Sequence, residues 1–173
     1  MCKPKKFGGL GLRNIKDIAD VSKFKLFWKF LEGKSHWARW MCAKYLKNKN
    51  FWLARKEVHH SYVWKSILDC REIGKNLIQR KLKDGTQTSL WFDPWISGNS
   101  LINFLGWNNL HILGGDKDKV QSIINNNRWS FHNNPAAHIF KNAISEIKIE
   151  QNSLRDHWSW KLSSKDKFSF KKV

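Results

Sequence analysis

Eleven tryptophans and eleven phenylalanines in a chain of 173 residues constrain the fold more than any other feature. They are too much buriable surface for a disordered basic tail, so the chain must build a core. Its length suits one modest domain, or part of one. The rings are interleaved with cations: 32 Lys and Arg stand against 14 Asp and Glu, a net charge of +18 with a pI near 10.0. An excess of this size fits a polyanion such as nucleic acid or an acidic membrane, and small anionic metabolites would not require it. Only seven of the cations are Arg. Lys acts on phosphate as a point charge, whereas Arg forks onto guanine edges, so binding should be weakly sequence-specific and sensitive to salt.

Cys2, Cys42 and Cys70 are odd in number and unpaired in spacing, and the chain does not open on an apolar signal region. A disulfide framework and secretion are therefore not expected; a reducing, intracellular compartment, nucleus or cytoplasm, is. No apolar run approaches the roughly 20 residues that a membrane span needs.

The charge is concentrated. Residues 1–60 carry fifteen Lys and Arg against four Asp and Glu, residues 61–120 eight against six, and residues 121–173 nine against four. In that first third, Val21, Phe24, Phe27, Trp28 and Leu31 recur at helical spacing and Gly33 marks a stop, which predicts an amphipathic helix. Ser35 can cap a second helix carrying Trp37, Trp40, Met41 and Tyr45, antiparallel to the first. A third is expected from Ser61 through Trp64, Ile67 and Leu68 towards Gly74.

From Ile78 onward the pattern is β-like. Asp84-Gly85 signals a tight turn, and Leu90, Trp91 and Phe92 precede Asp93-Pro94, so a hairpin is expected over residues 77–96. Residues 97–118 read as an irregular connection. Short helices are expected over 119–126 and 135–147, the latter with Pro135 in its first turn. Trp158, Trp160 and Leu162 alternate before a turn at 163–166, and Phe168 and Phe170 alternate after it, a second hairpin.

Motifs for chemistry are scarce. The three cysteines lie too far apart to frame a zinc site, and His59-His60 reads as a solvated loop. G-x-S-x-G and the phosphate-cradling P-loop pattern are absent, and Gly8-Gly9-Leu10-Gly11 follows no strand. Two-metal chemistry needs converging carboxylates. Asp84, Asp93, Asp116 and Asp118 each have a local use in a turn, before a proline or as a helix cap. Aromatic residues mixed with lysines can stack on bases while the cations follow phosphates. Helical spacing nevertheless makes Phe24, Trp28, Trp37, Trp40 and Trp64 core residues first. The lysines are the candidates for contact: Lys23, Lys25, Lys29, Lys44 and Lys47. A helix lying on a membrane surface would use the same pattern, but the elements downstream argue for a folded body.

Several of these residues form an ordered set. Cys2-Lys3-Pro4-Lys5-Lys6, Gly8-Gly9-Leu10-Gly11-Leu12-Arg13-Asn14, Lys25-Leu26-Phe27-Trp28-Lys29-Phe30, Trp37-Ala38, Lys44-Tyr45 and Trp64-Lys65-Ser66-Ile67 resemble plant LINE-type (non-LTR) retrotransposon reverse transcriptases after their polymerase core. Asp84-Gly85 with Leu90-Trp91-Phe92-Asp93-Pro94-Trp95 is similar to the next landmark. Trp158-Ser159-Trp160 with Lys167-Phe168-Ser169-Phe170-Lys171 is similar to the entrance of the zinc-binding reverse-transcriptase domain. The resemblance implies that the polymerase carboxylates would precede Met1 and that the zinc ligands would follow Val173. In two places the chain departs from the family: Arg80 stands where Trp is usual and Lys83 where Gly is usual, which bears on the packing of the first hairpin.

The expectation is an α+β segment, mainly α-helical with two short β-hairpins, forming an incomplete domain. Residues 1–76 are a basic, helical, thumb- or linker-like region, 77–96 a hairpin, 97–118 a connection, and 119–173 short helices and the start of a zinc-binding reverse-transcriptase-like domain. The expected role is non-catalytic: lysines on helices between about residues 15 and 46 hold an RNA or DNA backbone for neighbouring domains of a longer polyprotein. No catalytic residue, metal, cofactor or membrane partner is expected in this chain. The alternative is a domesticated or degenerate module that binds a protein and has no nucleic-acid role.

Overall fold

The computed structural model describes residues 14–110, 117–126, 128–130, 144–147 and 155–163, with Gly8, Gly115, Lys141, Ile149 and Phe168 besides. In chain order they form helices α1 (Ile15–Glu32), α2 (His36–Met41), α3 (Tyr62–Asp69) and α4 (Arg71–Leu77), strand β1 (Ile78–Lys81), helix α5 (Leu101–Leu105), and strands β2 (Ile124–Asn125), β3 (Arg128–Trp129) and β4 (His157–Trp160). The fold is α+β and mainly helical, with two antiparallel sheets of two strands each.

Local chemistry sets the helix ends, and Gly33, Ser35 and Ser61 act where the sequence predicts. Asn14 accepts from the Lys16 N–H to open α1, and Gly33, at φ 65°, closes it by donating to the Phe30 carbonyl. The Ser35 hydroxyl accepts from Ala38 N–H at 3.1 Å and starts α2. A π turn over Cys42–Leu46 extends that helix to Lys47, whose φ of 44° ends it. Ser61 caps α3 by accepting from Trp64 N–H. The expected single helix from Ser61 is broken at Cys70 and resumes as α4, running past Gly74 to Leu77. This bend lets α4 approach α1 closely: a Cβ on Gly74 would lie 2.6 Å from the Phe27 ring.

Two aromatic cores result. In the first, Phe27, Trp28, Phe30, Met41, Phe51, Trp64, Ile67 and Ile78 are buried together with Trp160 from the far end of the chain. Phe30 and Trp64 meet edge to face at 5.3 Å, and Trp64 stacks on Tyr45 at 4.8 Å. The second gathers Leu90, Trp91, Trp95, Ile96, Leu101, Leu105, Val120, Ile123 and Ile144.

The hairpin expected over 77–96 does not form. β1 pairs instead with β4, Ile78 opposite Trp160 and Lys81 opposite His157. The stretch after the Asp84-Gly85 turn finds its partner at residues 118–121: Leu90 N–H donates to Asp118 O, Val120 N–H to Thr88 O and Gln121 N–H to Gly85 O. A tight hairpin would need the backbone N–H groups of its own arms, and these are taken by Asp156. One Asp156 oxygen accepts from Lys83 N–H (2.8 Å) and Gly85 N–H (3.0 Å), and the other from Gln87 N–H (3.2 Å) and the Thr88 hydroxyl (2.7 Å). Residues 90–96 are buried throughout, without the alternation of a half-exposed strand. Arg80 is buried, its guanidinium 4.7 Å from the Trp158 ring.

Other expectations shift as well. The connection over 97–118 contains α5 and a 3₁₀ turn at Trp107–Asn109, with Leu101 and Leu105 buried; residues 111–114 and 116 lie outside those described. Five helical residues are too few for periodicity to announce them. Over 119–126 the chain forms a 3₁₀ turn at Val120–Ile123 and then β2, which turns into β3. Of the helix expected over 135–147, residues 135–140, 142 and 143 lie outside those described, while Ile144 and Ser145 are helical. The second hairpin is realised only in β4, with residues 164–167, 169 and 170 outside those described.

Candidate nucleic-acid interface

The five lysines singled out in the sequence occupy different settings. Lys25 and Lys29 are exposed one turn apart on α1 and share a face. Lys23 falls on the other flank of that helix, where its Nζ lies 2.8 Å from Asp20. That carboxylate raises the ammonium above its ordinary range. Lys44 is exposed and caps rings, 4.7 Å from the Trp40 centroid and 5.3 Å from that of Tyr45. Of the five, only Lys47 lines the cleft between the two cores.

That cleft has a volume of about 1550 Å³. Exposed cations reach it from three separate stretches: Lys34, Lys47 and Lys49 from the segment after α1, Lys117 and Lys119 from the strand-like stretch beside residues 85–90, and Arg155 just before β4. Lys117 lies in the turn that Asp118 N–H closes on the Gly115 carbonyl, Lys119 follows on extended backbone, and both line the cleft. Asp118, between them, is spent on the Gly115 N–H at 2.8 Å. Lys34 retains a long ion pair to Glu32, 3.7 Å.

The wall of the cleft is aromatic. Trp52 and Trp158, both half-buried, meet at 6.0 Å between ring centroids. Arg71 fixes the Trp52 side by donating from one guanidinium nitrogen to the carbonyls of Phe51 (3.1 Å), Trp52 (3.1 Å) and Ala54 (2.7 Å). Arg80 sets the Trp158 side, its guanidinium 4.7 Å from that ring and its Nε donating to the Thr88 hydroxyl at 2.9 Å. Burial pulls both guanidinium groups below their ordinary pKa, against the opposing pull of nearby carboxylates.

The cleft's buried carboxylates are already engaged. Asp93 accepts from Asn50 Nδ2 at 3.1 Å and from Ser89 N–H at 2.8 Å, joining the two halves at the cleft floor. Burial pushes its carboxyl above the usual range despite those bonds and the positive charges of Arg80 and Lys119. For Asp156 burial acts in the same direction, but the donors from Lys83, Thr88 and Gly85, with Arg80, outweigh it and hold the carboxyl low. Asp84 accepts from Thr86 within its own turn. No set of carboxylates converges among the described residues as two-metal chemistry would need.

His59-His60 lies in a turn, in keeping with the loop reading, and there the two side chains both approach Glu57, whose Oε2 lies 3.3 Å from His59 Nε2 and 3.8 Å from His60 Nε2. The three donor atoms lie within 4.8 Å of one another. His60 Nδ1 accepts from the Glu57 N–H at 3.2 Å. In the neutral ring that leaves the proton on Nε2, the nitrogen a metal would need.

Sequence reasoning placed the cations in the first third and missed Lys117, Lys119 and Arg155. Residues 116–119 alternate Asp and Lys and cancel in any local charge count. The place of Lys117 and Lys119 at the cleft comes from backbone pairing with residues 85–90, which becomes visible only with the fold.

Among the described residues no helix is long and apolar enough to cross a membrane. No protein-family model matches the chain, and no solved structure does. Two proteins of Arabidopsis thaliana are similar to it. One, whose name describes it as a ribonuclease H protein, is 33% identical over 107 residues, 59% of this chain and 17% of the relative. The other, an uncharacterized mitochondrial protein, is 26% identical over 98 residues, 56% of this chain and 64% of the relative. The chain thus spans less than two thirds of either relative, and a small part of the first.

Proposed function

We propose that this chain is a non-catalytic segment of a retroelement reverse-transcriptase-like protein that holds an RNA or DNA backbone. One observation carries the reading: six exposed cations from three separate stretches meet at one cleft, while Asp93 and Asp156 within it are bound up in internal hydrogen bonds. A surface whose positive charges were merely solubilising would carry them scattered and paired. The rim is five lysines and one arginine, which suits phosphate attraction over base reading. Similarity to a much longer plant relative named for ribonuclease H supports a role beside catalytic domains located elsewhere in a larger polypeptide.

The test is the dependence of affinity on salt. Each phosphate contact releases counterions, so log affinity should fall with log salt by about 0.7 per contact on a single strand. The double variant Lys117→Ala/Lys119→Ala should flatten that slope by about 1.4. A slope near zero in the unaltered chain would reject the reading.

A further inference from the structure

Resting on the reading above, we infer that the cleft selects a single strand over a duplex, seating bases against the Trp52–Trp158 wall while the rim cations follow the phosphates. Three features of the cleft bear on this. The first is where the charges stand. Lys47 and Lys49 line the cleft from the segment before Phe51, and Lys117, Lys119 and Arg155 from segments far later in the chain, together with the two rings. A polyanion that pairs with both sets meets the cleft that they line.

The second is size. A volume of about 1550 Å³ exceeds a small-molecule pocket of roughly 300–1,000 Å³ by too little to admit a double helix, and it suits a few nucleotides. A duplex would touch the rim alone, with its bases stacked away inside it.

The third is the state of the rings. Trp52 and Trp158 are half-buried, unlike Trp64, Trp91, Trp95 and Trp160, which are fully enclosed. Their orientation is fixed by cations: the Arg80 guanidinium is 4.7 Å from the Trp158 ring, and Lys75 Nζ is 5.8 Å from the Trp52 ring. Rings held this way present apolar surface without the entropy cost of ordering them on binding. Stacking on them tolerates any base, since every base has a π-face.

Fluorescence anisotropy of the full chain with labelled 12-mers separates the terms, using a thymidine strand, an abasic strand of equal charge and a blunt duplex. The expected result is that the thymidine strand binds at least tenfold more tightly than either of the others, with salt slopes of similar size for the two strands. Trp158→Ala should remove that tenfold advantage and leave the salt slope unchanged. Because Trp158 also packs on Arg80, the abasic strand makes the same comparison with the protein unaltered. Equal affinity for thymidine and abasic strands would overturn the stacking wall while leaving phosphate binding intact. A duplex that binds as tightly as the thymidine strand would overturn the selection. Failure of all three ligands to bind would refute this inference and the proposed function together.

Discussion

Two single residues hold much of the architecture in place. Gly74 has no side chain because the Phe27 ring occupies the space where its Cβ would be, 2.6 Å away. Gly74→Ala should cost about 1–3 kcal/mol through overpacking, read as a lowered urea midpoint, despite alanine's better helix propensity. Asp156, 4% exposed, terminates three backbone N–H groups and one hydroxyl. Asp156→Asn should cost about 1.5–3 kcal/mol at pH 7, since the amide loses the charge and turns a donor on groups that are themselves donors. Folding favours the ionised form of Asp156, so its stabilisation is complete above the unfolded value of about 3.9 and fades as pH falls through the lower folded value. Asp93 runs the other way, because its raised pKa favours the neutral form in the fold and ionisation costs stability as pH rises. Denaturation midpoints from pH 6 to pH 3 should therefore fall less steeply in Asp156→Asn than in the unaltered chain.

At the level of elements, what the sequence disclosed was whatever neighbours decide. Gly33, Ser35 and Ser61 act within a few residues of their own position, and the end they predict for α1 and the starts they predict for α2 and α3 are where the helices stop or begin. The Asp84-Gly85 turn was equally legible as a turn. Its partner was not, because the choice between residues 78–81 and 118–121 rests on a carboxylate at position 156. The site divides in the same way. Lys47 was found by local charge density, whereas Lys119 and Arg155 reach the cleft only through tertiary pairing. β4 shows how much rests on one such pairing, since Trp160 is fully buried in a core otherwise made of residues 27–78. Trp160→Ala should cost about 3–5 kcal/mol, measured by urea denaturation, a loss comparable to removing Trp64 from within that core.

Across the whole molecule, the two cores share their supports. β1 starts with Ile78 in the first and leads directly to Leu82 in the second; Asn50 binds Asp93 across the cleft floor, and Asp156 precedes β4 while holding residues 83–88. Neither core can open without loosening the other. The expected outcome is one cooperative transition, with far-ultraviolet circular dichroism and tryptophan fluorescence giving coincident melting curves. Two resolved transitions would show that the cleft lies between independent units.

The pairing of Ile78 with Trp160 also governs when the protein can be born. A ribosome adding about 5–20 residues per second needs several seconds to travel from one to the other. Throughout that interval Phe27, Trp28, Phe30 and Trp64 have been made but lack the indole that completes their enclosure. The nascent chain thus carries sticky aromatic surface, next to unneutralised lysines, until the stretch bearing Trp160 leaves the exit tunnel. Chaperones would find their best opportunity there.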